Sequence, residues 1–172
     1  ATSEQQLIVD KLVLCTGASP KFWAKLQEIG LKVAPPVPSL FTFNIKDSRI
    51  QELSGVAFPN CTIKIAGTKL EESGPLLITH WGLSGPAILK LSARGARDLA
   101  AMSYRFEVII NFLEAQNYEE ARQFIAVKKS EHLKKYIGNV MPELPRRYWL
   151  SLLNYCKLNP ETKCTDIGKK GV

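Results

Sequence analysis

The chain lacks most of the features that assign a protein to a class at a glance. No apolar run in its 172 residues approaches the ~20 needed to span a bilayer. A membrane protein is therefore not expected. The four cysteines, Cys15, Cys61, Cys156 and Cys164, lie far apart with no C-x-x-C pair. That spacing supports neither a zinc site nor a redox dithiol and fits reduced cytosolic thiols. Glycine-rich fingerprints are missing as well: there is no P-loop, no G-x-G-x-x-G and no cluster of His, Asp and Glu at metal-binding spacing. No metal is expected. The opening residues Ala1-Thr2-Ser3-Glu4-Gln5-Gln6 lack the basic-then-apolar pattern of a secretory leader, which predicts a cytoplasmic protein.

What is present is ordinary globular composition, 45% hydrophobic and 23% charged. It excludes a disordered chain, and the length suffices for one large domain or two small ones. The net charge of +7 is unevenly placed. Residues 1–116 carry 12 Lys and Arg against 10 Asp and Glu, whereas residues 117–172 carry 11 against 6. Such a basic stretch serves either as a phosphate-binding surface or as a solvated helical face. The dispersal of Lys128, Lys129, Lys134, Lys135, Arg146 and Arg147, with few aromatic platforms among them, favours the solvated face. A nucleic-acid partner is accordingly not expected, and it stands as the alternative.

Organisation follows from periodicity and punctuation. Ile8 to Leu14 (IVDKLVL) reads as a short buried strand ending at Cys15-Thr16-Gly17. Ser19-Pro20 then predicts a helix start, with Phe22, Leu26 and Ile29 on one face and Gly30 as the stop. Ala34-Pro35-Pro36-Val37-Pro38 cannot be helical and marks a boundary. Beyond it the period falls to two, over Leu40–Ile45, Cys61–Ala66 and Leu76–Thr79. Turns are expected at Lys46-Asp47-Ser48, Phe58-Pro59-Asn60, Gly67-Thr68 and Glu72-Ser73-Gly74.

Gly82 to Pro86 is expected to open a helix weakened in its middle by Gly95. Tyr104–Phe112 reads as a further strand that could close a barrel. Helices are then predicted over Tyr118–Ile125, over Glu131–Tyr136 and from Leu144-Pro145 onward, the last with Tyr148, Leu152 and Tyr155 on one face. No internal repeat is visible. Four parts result: a strand-turn-helix (1–33), a β-barrel with one internal helix (34–114), a helical subdomain (115–158) and a polar, loosely ordered tail (159–172). The fold class is α+β: a small antiparallel β-barrel with a helical subdomain, preceded by what looks like a strand-turn-helix torn from a larger α/β domain. An unpaired strand edge there predicts self-association.

His80-Trp81-Gly82-Leu83-Ser84-Gly85-Pro86 is the most suggestive stretch. A serine nucleophile with His80 as base is one reading. Pro86 stands where the G-x-S-x-G elbow requires glycine, and no acid partner for His80 is evident. A tight strand-to-helix turn accounts for the residues better. Cys15-Thr16-Gly17 ends a strand, where ligands approach open α/β sheets, although by itself a plain β-to-α turn accounts for it better. His132 reads as surface decoration, and Trp23, Trp81 and Trp149 as core or interface anchors rather than stacking platforms.

Four ordered blocks nevertheless carry a family likeness: Val9–Gly17, Pro36–Phe41, Leu53–Val56 and Gly74–Leu89. Together they resemble the middle of the BaiN/YhiN-like flavoproteins, the NAD(FAD)-utilising dehydrogenases. The family's Thr-His-x-Gly-x-Ser-Gly-Pro block is matched by Thr79, His80, Gly82, Ser84, Gly85 and Pro86. Its Ala-Thr-Gly-Gly turn corresponds to Cys15-Thr16-Gly17-Ala18, with two replacements. Its N-terminal dinucleotide fingerprint and C-terminal Gly-Gly-Tyr-Asn-type segment have no counterpart here.

The resemblance implies the insertion region of an FAD-dependent oxidoreductase, covering the flavin and shaping the substrate pocket, and not competent alone. FAD would be bound by the parent protein rather than by this piece, whose partners would be the remainder of the FAD-binding domain and a small-molecule substrate. Thr16 and Gly17 are then the foremost cofactor contacts, with Thr79, Gly82, Ser84 and Gly85 as further candidates. His80 is the one candidate proton donor.

Overall fold

A computed structural model of the chain describes residues 8–113 and 117–168. They fall into two compact units, one ending at Pro36 and one beginning at Val37. In the first, α1 (Pro20–Glu28) starts as its sequence dictates. Ser19 is extended, its hydroxyl accepts from the Phe22 N–H, Pro20 occupies the first turn, and Gly30 follows with φ +89°. The strand expected over Ile8–Leu14 is not formed. These residues are extended and exposed, Ile8 fully and Val13 by 82%. A β-branched run makes a strand only when a neighbour supplies the ladder, and none is present among the described residues of this unit.

The second unit is built on a curled antiparallel sheet in the order β1-β4-β3-β2-β5, with β1 Phe43–Asn44, β2 Ala57–Ile65, β3 Glu71–Thr79, β4 Gly82–Ser84 and β5 Val108–Asn111. Two expected turns lie inside strands instead. Phe58-Pro59-Asn60 belongs to β2, where the register slips between Phe58↔Leu76 and Cys61↔Gly74. A proline has no N–H to give the ladder, and a bulge is where that deficit is tolerated. Glu72-Ser73-Gly74 belongs to β3, opposite Ile63, Thr62 and Cys61. The Thr62 and Ser73 hydroxyls hydrogen-bond across the pair at 2.9 Å.

The inner face carries the core: Cys61, Ile63, Ile65, Leu76, Ile78 and Leu83 are all almost wholly buried. Helix α2 (Pro86–Arg94) lays Ala87, Ile88 and Leu91 against it. Gly82 begins β4 rather than a helix, and Gly95 separates α2 from α3 (Ala96–Ala101) rather than weakening the middle of one helix. The curl brings the sheet's two edges together. Phe43 on β1 meets Phe106, just ahead of β5, edge to face with ring centroids 5.0 Å apart. The result is a half-barrel with a helical part attached, as the periodicity predicted.

The helical part packs on the barrel through Phe58, Phe112 and Tyr148, whose ring centroids lie 4.5–5.0 Å apart. Helix α4 (Tyr118–Glu131) is capped by Asn117, with Glu119 and Glu120 in its first turn and Lys128 and Lys129 in its last, both favourable to the helix dipole. It runs past the expected end at Ile125, and residues 132–135 form turns rather than a second helix. In α5 (Arg146–Tyr155) the buried residues are Tyr148, Trp149 and Leu153, so the packed face is turned from the one predicted and Tyr155 is exposed.

The described part of the tail is not loose. Lys163 pairs with Tyr136 in an antiparallel bridge, and each residue leads into a 3₁₀ turn, Ile137–Asn139 and Cys164–Asp166. The hydrogen bonds about the bridge are reciprocal. Ile137 N–H donates to Thr162 O and Cys164 N–H to Lys135 O; Gly138 N–H donates to Pro160 O and Thr165 N–H to Leu133 O, all at 2.9–3.1 Å. The bonds thus run both ways between residues 133–138 and 160–165. Cys164 and Ile167 are buried in consequence. No helix among the described residues is long and apolar enough to cross a membrane.

Candidate functional site

Strands β3 and β4 are joined by a two-residue connection, His80-Trp81, between the paired Thr79 and Gly82. Residues in such a tip belong to neither face of the sheet. Both side chains are therefore exposed, Trp81 by 56%. The Trp81 carbonyl accepts from the Ile45 N–H at 2.9 Å, which ties the tip to the segment following β1. Gly82 makes this approach possible. It has φ +146°, and a Cβ there would lie 2.1 Å from the Phe43 carbonyl oxygen.

Between the tip and residues 44–54 lies a cleft of about 790 Å³, lined among others by Lys46, Asp47, Glu52, Thr79, His80 and Trp81. This size suits a small-molecule or nucleotide site. The far wall is held by charge. Arg49 clasps Asp47 with its Nε at 3.0 and 3.1 Å and Nη2 at 2.5 Å, and the hydrogen bonds hold the Asp47 carboxyl below its usual range. From α5, Arg147 donates to the carbonyls of Glu52 and Ser54. Glu52 itself has φ +66°, a conformation that costs a non-glycine residue about 1 kcal/mol or more.

One polar atom stands out at this cleft. Thr79 Oγ1 is shielded from solvent and has no hydrogen-bond partner, the sole such buried side-chain oxygen or nitrogen among the described residues. Leaving a hydroxyl so costs about 1–3 kcal/mol, and such groups in native proteins call for a partner.

The residues singled out in the sequence therefore divide. Thr79, His80 and Gly82 line the cleft together. Ser84 and Gly85 do not. They lie at the other end of β4, where Ser84 pairs with Leu77 and Gly85 (φ +106°) leads into α2 with its absent Cβ 2.8 Å from the Pro75 carbonyl oxygen. Close backbone approach explains that glycine. Thr16 and Gly17 (φ +65°) stand in the first unit, just ahead of α1. No group of three or more His, Cys, Asp or Glu among the described residues could hold a metal ion.

For FAD the residues present are a poor fit. The α1 N-terminus that follows Thr16-Gly17 is already capped by Ser19, and no glycine-rich turn precedes it to cradle a pyrophosphate. Sequence reasoning missed Trp81, Asp47, Arg49 and Arg147. Trp81 was assigned to a core or interface by residue type, and only the hairpin's short connection could have placed it in solvent.

Comparison with known proteins agrees with this architecture. Residues 37–172 match the family described as HI0933-like protein barrel and H2TH domain. The chain is also 37% identical over 95 residues to the ribosomal RNA dihydrouridine synthase of Escherichia coli (strain K12), covering 49% of this chain and 23% of that protein. It is 36% identical over 78 residues to the enzyme of the same name from Haemophilus influenzae (strain ATCC 51907 / DSM 11121 / KW20 / Rd), covering 44% of this chain and 19% of the other. The matches thus span about a fifth to a quarter of the length of these curated relatives.

Proposed function

Since the chain belongs to the HI0933-like barrel and H2TH family, a family related to FAD-binding flavoproteins, we propose that it is the barrel-and-helical module of an FAD-dependent oxidoreductase whose substrate is a uridine within RNA. The observation that carries the substrate is the 37% identity to a ribosomal RNA dihydrouridine synthase. Reducing a uracil to dihydrouracil adds one hydride and one proton across its C5–C6 double bond. The hydride would come from the reduced flavin, FADH−, held by the remainder of the FAD-binding domain and re-reduced by a nicotinamide after each turnover. What this module contributes is binding, orientation and the exclusion of water.

Two readings of the sequence, a flavin cover and a basic nucleic-acid module, then describe one protein. A flavin enzyme acting on RNA needs a wall for the substrate base and cationic surface for the backbone. The half-barrel supplies the wall, with its cleft at Thr79–Gly82. Among the described residues, 117–168, with 9 Lys and Arg against 6 Asp and Glu, supply the cationic surface. His80, exposed at the cleft mouth, is the module's candidate proton donor. The exposed apolar side chains of Ile8, Val9, Leu12, Val13 and Leu14 fit a segment that the remainder of the parent covers, or a second copy when it is absent. Such a protein works in the cytoplasm, where ribosomal RNA is made and modified.

The test is made on the full-length parent. It should purify yellow with a flavin absorption band. Deleting its gene should remove one dihydrouridine from ribosomal RNA, as read by mass spectrometry of nuclease fragments, and the intact gene should restore it. A colourless parent, or ribosomal RNA unchanged by the deletion, overturns the reading.

A further inference from the structure

We infer that the cleft between the His80-Trp81 tip and residues 44–54 receives a single unstacked nucleobase, with the Trp81 ring as the surface on which it stacks. This rests on the RNA reading above and adds to it the place where the base sits.

Chemistry demands such a place. A base inside a folded RNA is covered on both faces by its neighbours, so an enzyme acting on its ring has to draw it out of the stack and hold it elsewhere. The receiving site needs a flat apolar surface, a polar edge and room for one nucleotide. The cleft offers all three. At 56% exposure Trp81 leaves more than half its surface uncovered in this module, so it is no part of the module's own core. Base-on-aromatic stacking is the largest interaction such a ring can make with a nucleotide.

The backbone that carries the ring is held by hydrogen bonds on both sides. Its own carbonyl is bonded to Ile45, and Thr79 and Gly82 on either side are paired residues of a hairpin. The cleft lining also carries the polar side chains of Asn44 and Gln51, amides that can give and accept hydrogen bonds at a base edge. Lys46, exposed on the opposite wall, is the cation within the cleft lining for the nucleotide's phosphate, since Arg49 is bound to Asp47. The Arg147 clamp on Glu52 and Ser54 keeps that wall in position before any RNA arrives.

The 172-residue chain itself serves for the test, with oligo(U) as probe and tryptophan fluorescence as readout. Stacking on Trp81 quenches its emission, whereas Trp149 is buried and should not respond, and the half-buried third tryptophan is removed as Trp23→Phe. We expect saturable quenching by oligo(U). Affinities of the variants are read by the fluorescence anisotropy of dye-labelled oligo(U), which does not depend on the tryptophan removed: Trp81→Ala should weaken binding roughly tenfold or more with an unchanged circular dichroism spectrum, and Trp81→Phe should restore most of the affinity. In the parent, Trp81→Ala should lower dihydrouridine formation while leaving the flavin absorption band intact.

Binding that Trp81→Ala leaves unchanged overturns the base site. So does a chain that fails to bind oligo(U) at all. The parent separates the two failures: if it still forms dihydrouridine, only the base site falls, and if it forms none, the RNA reading falls with it.

Discussion

Arg147 on α5 donates to the backbone carbonyl of Glu52 at 2.8 Å and to that of Ser54 at 3.3 Å. A side chain of the helical part thereby braces the cleft wall of the barrel. The guanidinium suits this because its fork presents two donors to two acceptors at once. Replacing Arg147 with alanine should cost about 1 kcal/mol, since both bonds are exposed to solvent, and the loss is read from a urea unfolding curve. Lysine, with a single ammonium, should recover only part of it.

Gly82 is the residue on which the hairpin tip depends. Alanine there would place a Cβ 2.1 Å from the Phe43 carbonyl oxygen and 2.6 Å from the Ile45 nitrogen, both backbone atoms that cannot swing away. Gly82→Ala should therefore detach β1 from β4 and cost roughly 3 kcal/mol or more. Hydrogen exchange should show faster exchange at Ile45, whose N–H bonds to Trp81.

Acid should loosen the same cleft. Hydrogen bonds from Arg49 hold the Asp47 carboxyl below its usual value. A carboxyl with a lowered folded-state pKa stabilises the fold above its unfolded value of about 4, and the contribution fades as pH falls through the lower folded value. Stability should thus fall below about pH 4 more steeply in the parent chain than in Asp47→Asn. Paired pH titrations of the unfolding midpoint measure the difference, which will be small because both groups are partly solvated.

The cysteines should react in two classes. Cys15 and Cys156 are exposed, whereas Cys61 and Cys164 are buried. Burial pushes the Cys61 thiol up to about 11, and it raises Cys164 despite the opposing charge of Lys129. A disulfide reagent at pH 8 should therefore modify two thiols quickly and the other two only on unfolding. Four equally fast thiols would contradict the packing of β2 and of the Cys164 turn.

Much of the fold was legible because its signals are local. Ser19-Pro20 and Gly30 bracket α1 by cap chemistry alone, and alternation over Cys61–Ala66 marks β2. What failed was whatever depends on a partner far along the chain. Pro59 and Gly74 read as turn residues because a bulge, and the strand opposite it, leave no local sign. Ile8–Leu14 looked like a strand for the converse reason, having the right residues without a neighbour to pair with. The polar Asn159–Ile167 stretch gave no hint that reciprocal bonds would bind it to residues 133–138.

Of the cleft, the sequence disclosed one side. Thr79, His80 and Gly82 lie in one unusual stretch. The opposing wall is an unremarkable loop made rigid by Arg49 and by Arg147, which comes from nearly a hundred residues further on. Nothing in the spacing of those arginines distinguishes them from solvated ones.

The reciprocal bonds about the Tyr136–Lys163 bridge also govern the order in which the molecule can assemble during synthesis. The carbonyls of Leu133 and Lys135 find their donors in Thr165 and Cys164, which leave the ribosome some thirty residues later. The last strand of the sheet ends at Asn111, so every strand has been made before either side of this bridge, which can form only once Thr165 has emerged.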